Sequence, residues 1–405
     1  MSTHAALLGT ILAGKIEHMT YPGPRGRSSR LKRFGLTWDQ LTHHMIIIGG
    51  TGTGKTITLL RLAAAVFALN KANPGEPPIA VIYMDAKGVP GDNRNRFLDI
   101  ARSSGAHRVF VWPEQPINGF SGSKDDLRER LSGMWDSRES AFHHAEAVTL
   151  LNNLLHLEPT PRTLAQFAEL TRPRMTASAF ETIGTPEAMR HKAQAEAFTN
   201  AQWNALHVRF AALNATIGTS LDQNANHPQI GDIDAAWISI PGTRAPQAAA
   251  DLTTWILGLV AENATNTTKR RTLIILDEFS AIGTDHRASQ AAAGLVERTR
   301  SAGTAIVLTS QTTEALGDTG PRLLKTAGTV LAHRMPTPDD IVALAGTVTV
   351  WEDTHSISRI GLRSSTSGRI QQQYLADPND IRRLAQGEVI AVTEGRCARI
   401  AICAP

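Results

Sequence analysis

The feature that most constrains the fold of this chain is a glycine-rich turn between an apolar run and a helix-like run. The run Met45 to Ile48 leads directly into GGTGTGKT, residues Gly49 to Thr56, and ITLLRLAAAVFALN follows. This is the G-x-x-x-x-G-K-T pattern of a phosphate-binding loop. Glycines let successive backbone N–H groups point inward at phosphate oxygens, and the following helix presents its positive end to the same anion. The pattern predicts a strand, a nucleotide-binding loop and a helix, in that order.

Two side chains of this loop have expected chemical roles. Lys55 is expected to reach the β- and γ-phosphates of ATP, and Thr56 to offer its hydroxyl to the Mg²⁺ that bridges those phosphates. The predicted nucleotide-binding residues are Gly49, Gly50, Thr51, Gly52, Thr53, Gly54, Lys55 and Thr56. The alternative is a glycine turn that binds no nucleotide, and the strand before the loop and the helix after it argue against that alternative.

A second stretch, Thr272 to Phe279, supplies carboxylates. Its sequence TLIILDEF is a continuous apolar strand that ends in two acids, as expected for a buried central strand of a parallel sheet. We predict that Asp277 holds the Mg²⁺ through its water shell. Glu278 is then placed to orient and polarise the water that attacks the γ-phosphate. Two adjacent carboxylates indicate hydrolysis rather than switching; the alternative is a strand that merely ends in an acidic turn.

Polar side chains near the next strand are further candidates for contact with the γ-phosphate. The apolar strand Thr304 to Thr309 ends in SQT, so Gln311 occupies the neighbouring strand tip, where its amide would sense the γ-phosphate. Arg298 and Arg300 close a predicted helix that runs roughly from Arg287 to Arg300. Cations at a helix C-terminus are favourable for electrostatic reasons alone. The functional alternative is that one of the two arginines reaches the γ-phosphate of a neighbouring subunit in a ring.

Alternating strand and helix patterns predict an α/β fold with a wound, largely parallel sheet. The predicted strands lie near 79–84, 108–112, 236–240, 272–276, 304–309, 328–333, 388–393 and 397–402. Between about 126 and 215 the strand signal disappears, and helical spacing predicts an all-helical insertion. In that part Leu206, Phe210, Leu213 and Ile217 follow steps of four, three and four.

These patterns divide the chain of 405 residues into four predicted segments. They are an N-terminal arm and basic linker (1–40), a first part of a P-loop motor domain (41–125), an all-helical insertion domain (126–215) and a second part of the motor domain (216–405). The apolar stretch Ala5 to Gly14 is about half of the ~20 residues that span a bilayer. We expect it to form a short amphipathic or packing helix rather than a membrane anchor or a secretory signal.

Charge and cysteine usage add little about partners. The formal net charge of +4 is too small to indicate a polyanionic ligand. Five basic residues crowd one segment with no acid among them, and this segment is either an arm that touches phosphates or a solvated linker. They are Arg25, Arg27, Arg30, Lys32 and Arg33. Cys397 and Cys403 are too few for a disulfide framework and fit core thiols in a reducing cytoplasm.

Several stretches, in order, resemble the type IV coupling proteins of conjugation, the TraG/TraD-like DNA-transfer ATPases of the HerA/FtsK-like P-loop motor superfamily. The resemblance covers most of the chain after residue 35. The matching stretches are HHMIIIGGTGTGKT, MDAKG at Asp85 to Gly88, VFVWP ending at Pro113, WISIPGTRAPQAAADLTTWILGLV, LDEF, RSAG at Arg300 to Gly303, SQT at Gln311 and IRRLAQGEVIAV. Together with the strand and helix pattern, the resemblance implies the fold class: an α/β RecA-like P-loop NTPase with a wound, largely parallel sheet and an all-helical insertion domain.

The resemblance also implies an assembly and partners. The working form would be a homo-hexamer with ATP sites between subunits and DNA contacts around a central channel, and Arg300 is the position that matches the family's arginine finger. The helical insertion would recognise a relaxase or relaxosome protein on its DNA. Members of this family usually begin with a membrane-spanning anchor, and we do not expect any stretch of this sequence to form one. We therefore expect a cytoplasmic motor, recruited to the inner face of the cell membrane by a separate membrane or secretion-channel partner, or one that serves a mobile element.

Two other readings remain open at this stage. A HerA/FtsK-like motor that pumps double-stranded DNA in segregation, repair or packaging would use the same ATP chemistry, and only the helical insertion favours the coupling type. A non-catalytic adaptor would bind nucleotide and a protein partner without turnover. The intact set of Lys55, Asp277 and Glu278 argues against the adaptor.

Overall fold

Short runs of aliphatic residues form most of the strands, and longer runs with helical spacing form the helices. A computed structural model of the protein describes residues 5–14, 33–88, 91–134, 141–242, 244–265, 270–283, 285–299, 302–357 and 364–405. The strands are β1 (Ala5–Gly14), β2 (Arg33–Thr37), β3 (Met45–Ile48), β4 (Ala80–Asp85), β5 (Val109–Trp112), β6 (Ala235–Ser239), β7 (Thr272–Asp277), β8 (Thr304–Ser310), β9 (Thr329–Ala332), β10 (Thr347–Ile357), β11 (Ser364–Tyr374), β12 (Glu388–Thr393) and β13 (Arg396–Ile402). The helices are α1 (Trp38–Thr42), α2 (Lys55–Ala72), α3 (Asp92–Ser103), α4 (Lys124–Ser132), α5 (Ala141–Leu155), α6 (Leu164–Leu170), α7 (Met175–Ile183), α8 (Pro186–Glu196), α9 (Asn200–Ile217), α10 (Pro246–Thr265), α11 (His286–Arg298), α12 (Gly320–Thr326), α13 (Asp339–Ala345) and α14 (Pro378–Arg382).

Within the described chain, eleven strands form one sheet in the order β2-β1-β13-β12-β9-β3-β8-β7-β4-β6-β5. The seven strands from β9 to β5 in this order are parallel. The other four extend the sheet in antiparallel fashion. The remaining two strands, β10 and β11, pair with each other as a separate antiparallel hairpin. The carboxyl ends of the parallel strands meet at one edge, and this edge is where open α/β sheets bind ligands.

Helices cover both faces of the parallel part. Successive side chains of a strand point to opposite faces, so Met45 and Ile47 of β3 join the core under α2 and α3. Ile46 and Ile48 join the other core, which contains residues of α10 and α11. Because helices cover both faces of the sheet, β3, β4, β7 and β8 are buried along their whole length. This explains why these strands are continuous apolar runs and do not alternate apolar and polar residues.

Helices α4 to α9 lie in the sequence between β5 and β6, which are neighbours in the sheet. Phe167 stacks between Phe120 and Phe210, with ring centroids 5.7 Å and 5.0 Å away. Trp255 of α10 is fully buried and donates its indole N–H to the carbonyl of Gly119 over 2.8 Å. An aromatic cluster therefore fastens the helical part to a helix that packs on the sheet. The domain limits at 126 and 215 stay a prediction.

The predicted fold class is confirmed, and all eight predicted strand positions carry strands. Leu206, Phe210, Leu213 and Ile217 are all buried in α9, as their spacing predicted. The helix that was predicted from Arg287 to Arg300 is α11 and ends at Arg298. The strands β1 and β2 and the hairpin β10–β11 were not predicted.

The expectation of a helix at Ala5 to Gly14 was wrong, because this stretch is strand β1. A short apolar run cannot be assigned to helix or strand by periodicity alone, and pairing with neighbouring strands makes this run a strand. β1 is hydrogen-bonded on one side to β13 and on the other to β2, with Ala6 and Leu8 fully buried.

Of the basic segment, Arg33 begins β2, and Arg25, Arg27, Arg30 and Lys32 lie outside the described residues. None of the helices in the described ranges combines the length and the apolarity needed to cross a membrane.

Candidate functional site

Four neighbouring strand ends bring together the predicted site residues that the structure describes. The sheet order β3-β8-β7-β4 is parallel, so the segments that follow these strands meet at the same edge. These segments are the glycine-rich loop, Gln311, the Asp277–Glu278 pair and the DAKG stretch at Asp85 to Gly88. The first and third lie far apart in the chain, since Thr56 and Asp277 are separated by 221 positions.

The glycine-rich loop wraps around its own lysine. Lys55 is the first residue of α2, and its Nζ donates to the carbonyl oxygens of Gly49 and Gly50 over 2.7 and 3.2 Å. Gly54 has φ of 110°, a left-handed conformation that suits glycine. A side chain at Gly49, the first residue of the loop, would collide with His333, so close packing requires a glycine there as well. The loop thus has the conformation that directs backbone N–H groups and a helix N-terminus at one point.

Lys55 is a buried cation that needs an anionic partner. The residue is 5% exposed, and burial lowers its pKa, while the charges of Glu278 and Asp277 oppose this effect. Its present partners are two neutral carbonyls. A phosphate oxygen in the loop would supply the missing counter-charge, and the residues therefore fit a bound phosphate chain.

Asp277 is held by hydrogen bonds to both of its carboxylate oxygens. Oδ2 accepts from Tyr83 Oη over 2.7 Å and from Thr56 Oγ1 over 3.2 Å. Oδ1 accepts from Thr309 Oγ1 and from the backbone N–H of Glu278, both over 2.9 Å. Burial and the adjacent Asp277 raise the pKa of Tyr83 well above 10, so its hydroxyl stays a donor. The carboxylate therefore cannot turn away from Thr56.

The Thr56–Asp277 pair fits a magnesium site completed by ligand and water oxygens. A hydroxyl and a carboxylate oxygen are the hard ligands that Mg²⁺ prefers, and Mg²⁺ usually keeps several waters. In the described part of the chain, no group of three His, Cys, Asp or Glu side chains could hold a metal without such help. Thr56 and Asp277 were both predicted as metal ligands, and the structure brings their oxygens within 3.2 Å of each other.

Glu278 has both carboxylate oxygens engaged. Oε1 lies 2.8 Å from Lys87 Nζ, and Oε2 accepts from Gln311 Nε2 over 3.4 Å. The residue has φ of 55°, and its N–H is bound by Thr309 Oγ1 as well as by Asp277. Burial would raise the pKa of Glu278, but the hydrogen bond and charge of Lys87, together with the charge of Lys55 and the hydrogen bond from Gln311, lower it. Glu278 is therefore ionised at neutral pH and rigidly placed.

His333, which the sequence reasoning missed, supports the loop from behind. It follows β9 directly and is fully buried. Its Nδ1 lies 3.1 Å from the carbonyl of Thr53, which can only accept, so Nδ1 carries the proton and Nε2 accepts from Thr58 Oγ1 over 3.0 Å. Both partners belong to the loop or to the first turn of α2. The neutral imidazole thus joins β9 to the glycine-rich loop.

The other missed residues are Lys87, Tyr83 and Thr309. The DAKG stretch at the end of a strand was a visible signal for Lys87, but no role was assigned to it. In the sequence, Tyr83 and Thr309 look like ordinary strand residues, and only their contacts with Asp277 set them apart.

Of the two predicted arginines, Arg298 donates to the carbonyl of Gly294 in its own helix. Arg300, the predicted arginine finger, lies outside the described residues.

The fold and the loop geometry together define the class: the chain has the RecA-like P-loop NTPase fold. No protein-family model and no curated protein matches its sequence. Its structure is similar to the bacterial conjugative coupling protein TrwBdeltaN70 in an unbound form, with a TM-score of 0.66 and 16% identity, covering 100% of this chain and 97% of that chain.

Two further structures show the same fold. One is the plasmid coupling protein TrwB in complex with the non-hydrolysable ATP analogue ADPNP, with a TM-score of 0.61 and 16% identity over 92% of this chain and 87% of that chain. The other is VirB4 of Thermoanaerobacter pseudethanolicus, with a TM-score of 0.58 and 13% identity over 100% and 98%. The resemblance to coupling proteins that the motifs indicated is thus confirmed at the level of the fold.

We predict that His333→Gln makes the fold less sensitive to acid. Burial lowers the pKa of His333 from 6.5 to about 4, so between these pH values the unfolded chain binds a proton that the folded chain does not. The stability that depends on a neutral His333 is complete above pH 6.5 and is lost as the pH falls toward 4, by roughly 3 kcal/mol.

Urea unfolding at pH 7 and pH 4.5 measures this difference. The wild type should lose more free energy of unfolding between the two pH values than the His333→Gln variant. The exposed His143 offers a matched control, and His143→Gln should behave like the wild type. An equal loss in all three proteins would contradict the prediction.

Proposed function

We propose that this chain is an ATP-hydrolysing DNA translocase of the conjugative coupling-protein type. The observation that carries the proposal is the convergence of Lys55, Thr56, Asp277 and Glu278 at one sheet edge from segments 221 positions apart. The similarity to TrwB, which has been solved with analogues of GTP and ATP, supports a nucleotide as the ligand. The same similarity supports conjugation as the setting.

Each site residue has a role in this proposal. The backbone N–H groups of Gly49 to Thr56 and the ammonium of Lys55 hold the phosphate chain of ATP, and this binding relieves a buried cation with only carbonyl partners. Thr56 and Asp277 would hold Mg²⁺, which when bound would neutralise charge on the phosphates. Glu278 orients the attacking water as general base, and Gln311 contacts the γ-phosphate. Because Asp277 and Glu278 are fixed by hydrogen bonds, little reorganisation is needed at the reaction step.

The proposed partners follow from the family resemblance. DNA would pass through the channel of a homo-hexamer whose ATP sites lie between subunits, with Arg300 reaching across the boundary. Helices α4 to α9 would recognise a relaxase or relaxosome protein. A membrane or secretion-channel partner would recruit the motor to the inner face of the cell membrane.

We predict that Lys55→Ala abolishes nucleotide binding or turnover, whereas Glu278→Gln still binds ATP but hydrolyses it about 10²- to 10⁴-fold more slowly. Lys55 supplies a charge to the phosphates, while Glu278 acts only on the attacking water. ATP affinity and single-turnover rate measure the two effects separately.

Two exposed residues serve as controls. Lys71→Ala changes a lysine at the other end of the same helix, and Glu394→Gln changes another glutamate with positive φ. Both should leave affinity and rate unchanged. Full turnover in the Glu278→Gln protein would refute its assignment as the base.

We predict that DNA stimulates the ATPase, since a translocase couples hydrolysis to movement on its track. The assay compares no DNA, single-stranded DNA and double-stranded DNA, with the mass in solution measured in the presence of nucleotide. Stimulation by duplex alone would favour the HerA/FtsK-like pump. No hydrolysis under any condition would favour the non-catalytic adaptor.

We predict that Arg300→Ala and Glu278→Gln, each inactive alone, regain turnover when mixed. In a ring, some boundaries would join the intact glutamate of one variant to the intact arginine of the other, so complete sites form only between subunits. Mixing Arg298→Ala with Glu278→Gln is the matched control, because Arg298 is bound within its own helix. No recovery in a preparation that light scattering shows to be assembled would exclude a finger in trans.

A further inference from the structure

The DAKG stretch contains a charged residue that the roles above leave unused. We propose that Lys87 is a sensor of the γ-phosphate: it pairs with Glu278 while that position is empty and exchanges this carboxylate for the terminal phosphate when a nucleoside triphosphate binds. This inference rests on the proposed function and deepens it. Glu278 would then be freed from its ion pair with Lys87 only when a nucleoside triphosphate is bound.

The first step of the argument is what Lys87 does to Glu278. Its ammonium lies 2.8 Å from Oε1, while Gln311 binds the other oxygen. A carboxylate that faces a bound cation polarises water less effectively, because the cation competes for the same lone pairs. Glu278 therefore has to lose the ammonium before it can act fully on the attacking water.

The second step identifies the partner that moves. The Glu278 side chain is 9% exposed, and its backbone is tied to Asp277 and Thr309. The Lys87 side chain is 53% exposed, although its backbone is fixed by a hydrogen bond from its N–H to Asp85 Oδ1. A long flexible side chain on a fixed backbone swings easily, whereas Glu278 is held. Lys87 is therefore the mobile member of the pair.

The third step is the destination. Lys55 and Lys87 are close enough to repel each other, and both lie near Glu278 and Asp277. A phosphate chain held by Lys55 would end between the two ammonium groups, next to Glu278. Its terminal group carries more negative charge than one carboxylate, and charge-assisted contacts with phosphate are strong. The ammonium would thus gain a better partner at a short distance from its present one.

The test measures the affinities of a non-hydrolysable ATP analogue and of ADP, with Mg²⁺. Using Glu278→Gln as the background removes the charge that a Lys87 variant would otherwise unmask. In this background Lys87→Met should lower the affinity ratio of the analogue to ADP about tenfold, because only the analogue has the γ-phosphate. Lys87→Arg should keep most of the ratio, and Lys71→Met should not change it. Thermal unfolding checks each variant, and Lys87→Gln replaces Lys87→Met if the latter does not fold.

Crystal structures of the wild type with ADP and with the analogue provide the second readout. Lys87 Nζ should remain on Glu278 with ADP and lie on the terminal phosphate with the analogue. An unchanged affinity ratio, or an ammonium that stays on Glu278 in the analogue complex, overturns the inference and leaves the proposed function intact. If neither nucleotide binds the wild type, the proposed function itself fails and the inference fails with it.

Discussion

The parallel register of β3, β8, β7 and β4 is the constraint on which the site depends. Ile48 pairs with Ser310, Leu276 with Leu308, and Asp85 with Asp277. These pairs put the ends of four strands at one level. The glycine-rich loop, the Gln311 amide and the Asp277 and Glu278 carboxylates therefore meet directly after their strands. A slip of one residue would exchange the faces of every side chain in a strand. Because both faces are packed, such a slip would bury the wrong residues, and the core therefore maintains the site geometry.

Three acidic and two basic side chains lie together at the site. Asp85, Asp277 and Glu278 lie near Lys55 and Lys87, and Asp277 has hydrogen bonds to both carboxylate oxygens. Burial raises the pKa of Asp85 to about 6, whereas the pKa of Glu278 is lowered. Lys55 is the cation with the poorest partners. An uncompensated buried charge costs several kcal/mol in general. The loop around the Lys55 ammonium therefore favours the binding of an anion.

Much of the fold could be predicted from sequence because doubly covered parallel strands read as apolar runs, and β4, β7 and β8 are buried at every position. The loop was also visible, since its chemistry depends on local spacing. β1 was assigned wrongly because its state is decided by β13, at the other end of the chain. His333 gave no signal because its partners Thr53 and Thr58 are 280 and 275 positions away. Contacts of this kind follow from the topology, which short patterns do not contain.

The pairing of β1 also affects the order in which the protein can fold. Gly9 faces Ile402 across β1 and β13, so the first described strand pairs with a strand that is synthesised much later. Before β13 has been synthesised, β2 is the one described partner strand that β1 can pair with, and a lone two-stranded hairpin is marginal in water. The β1 side of the sheet can therefore be completed only after β13 has been synthesised, and until then the apolar residues of β1 lack one of their two partner strands.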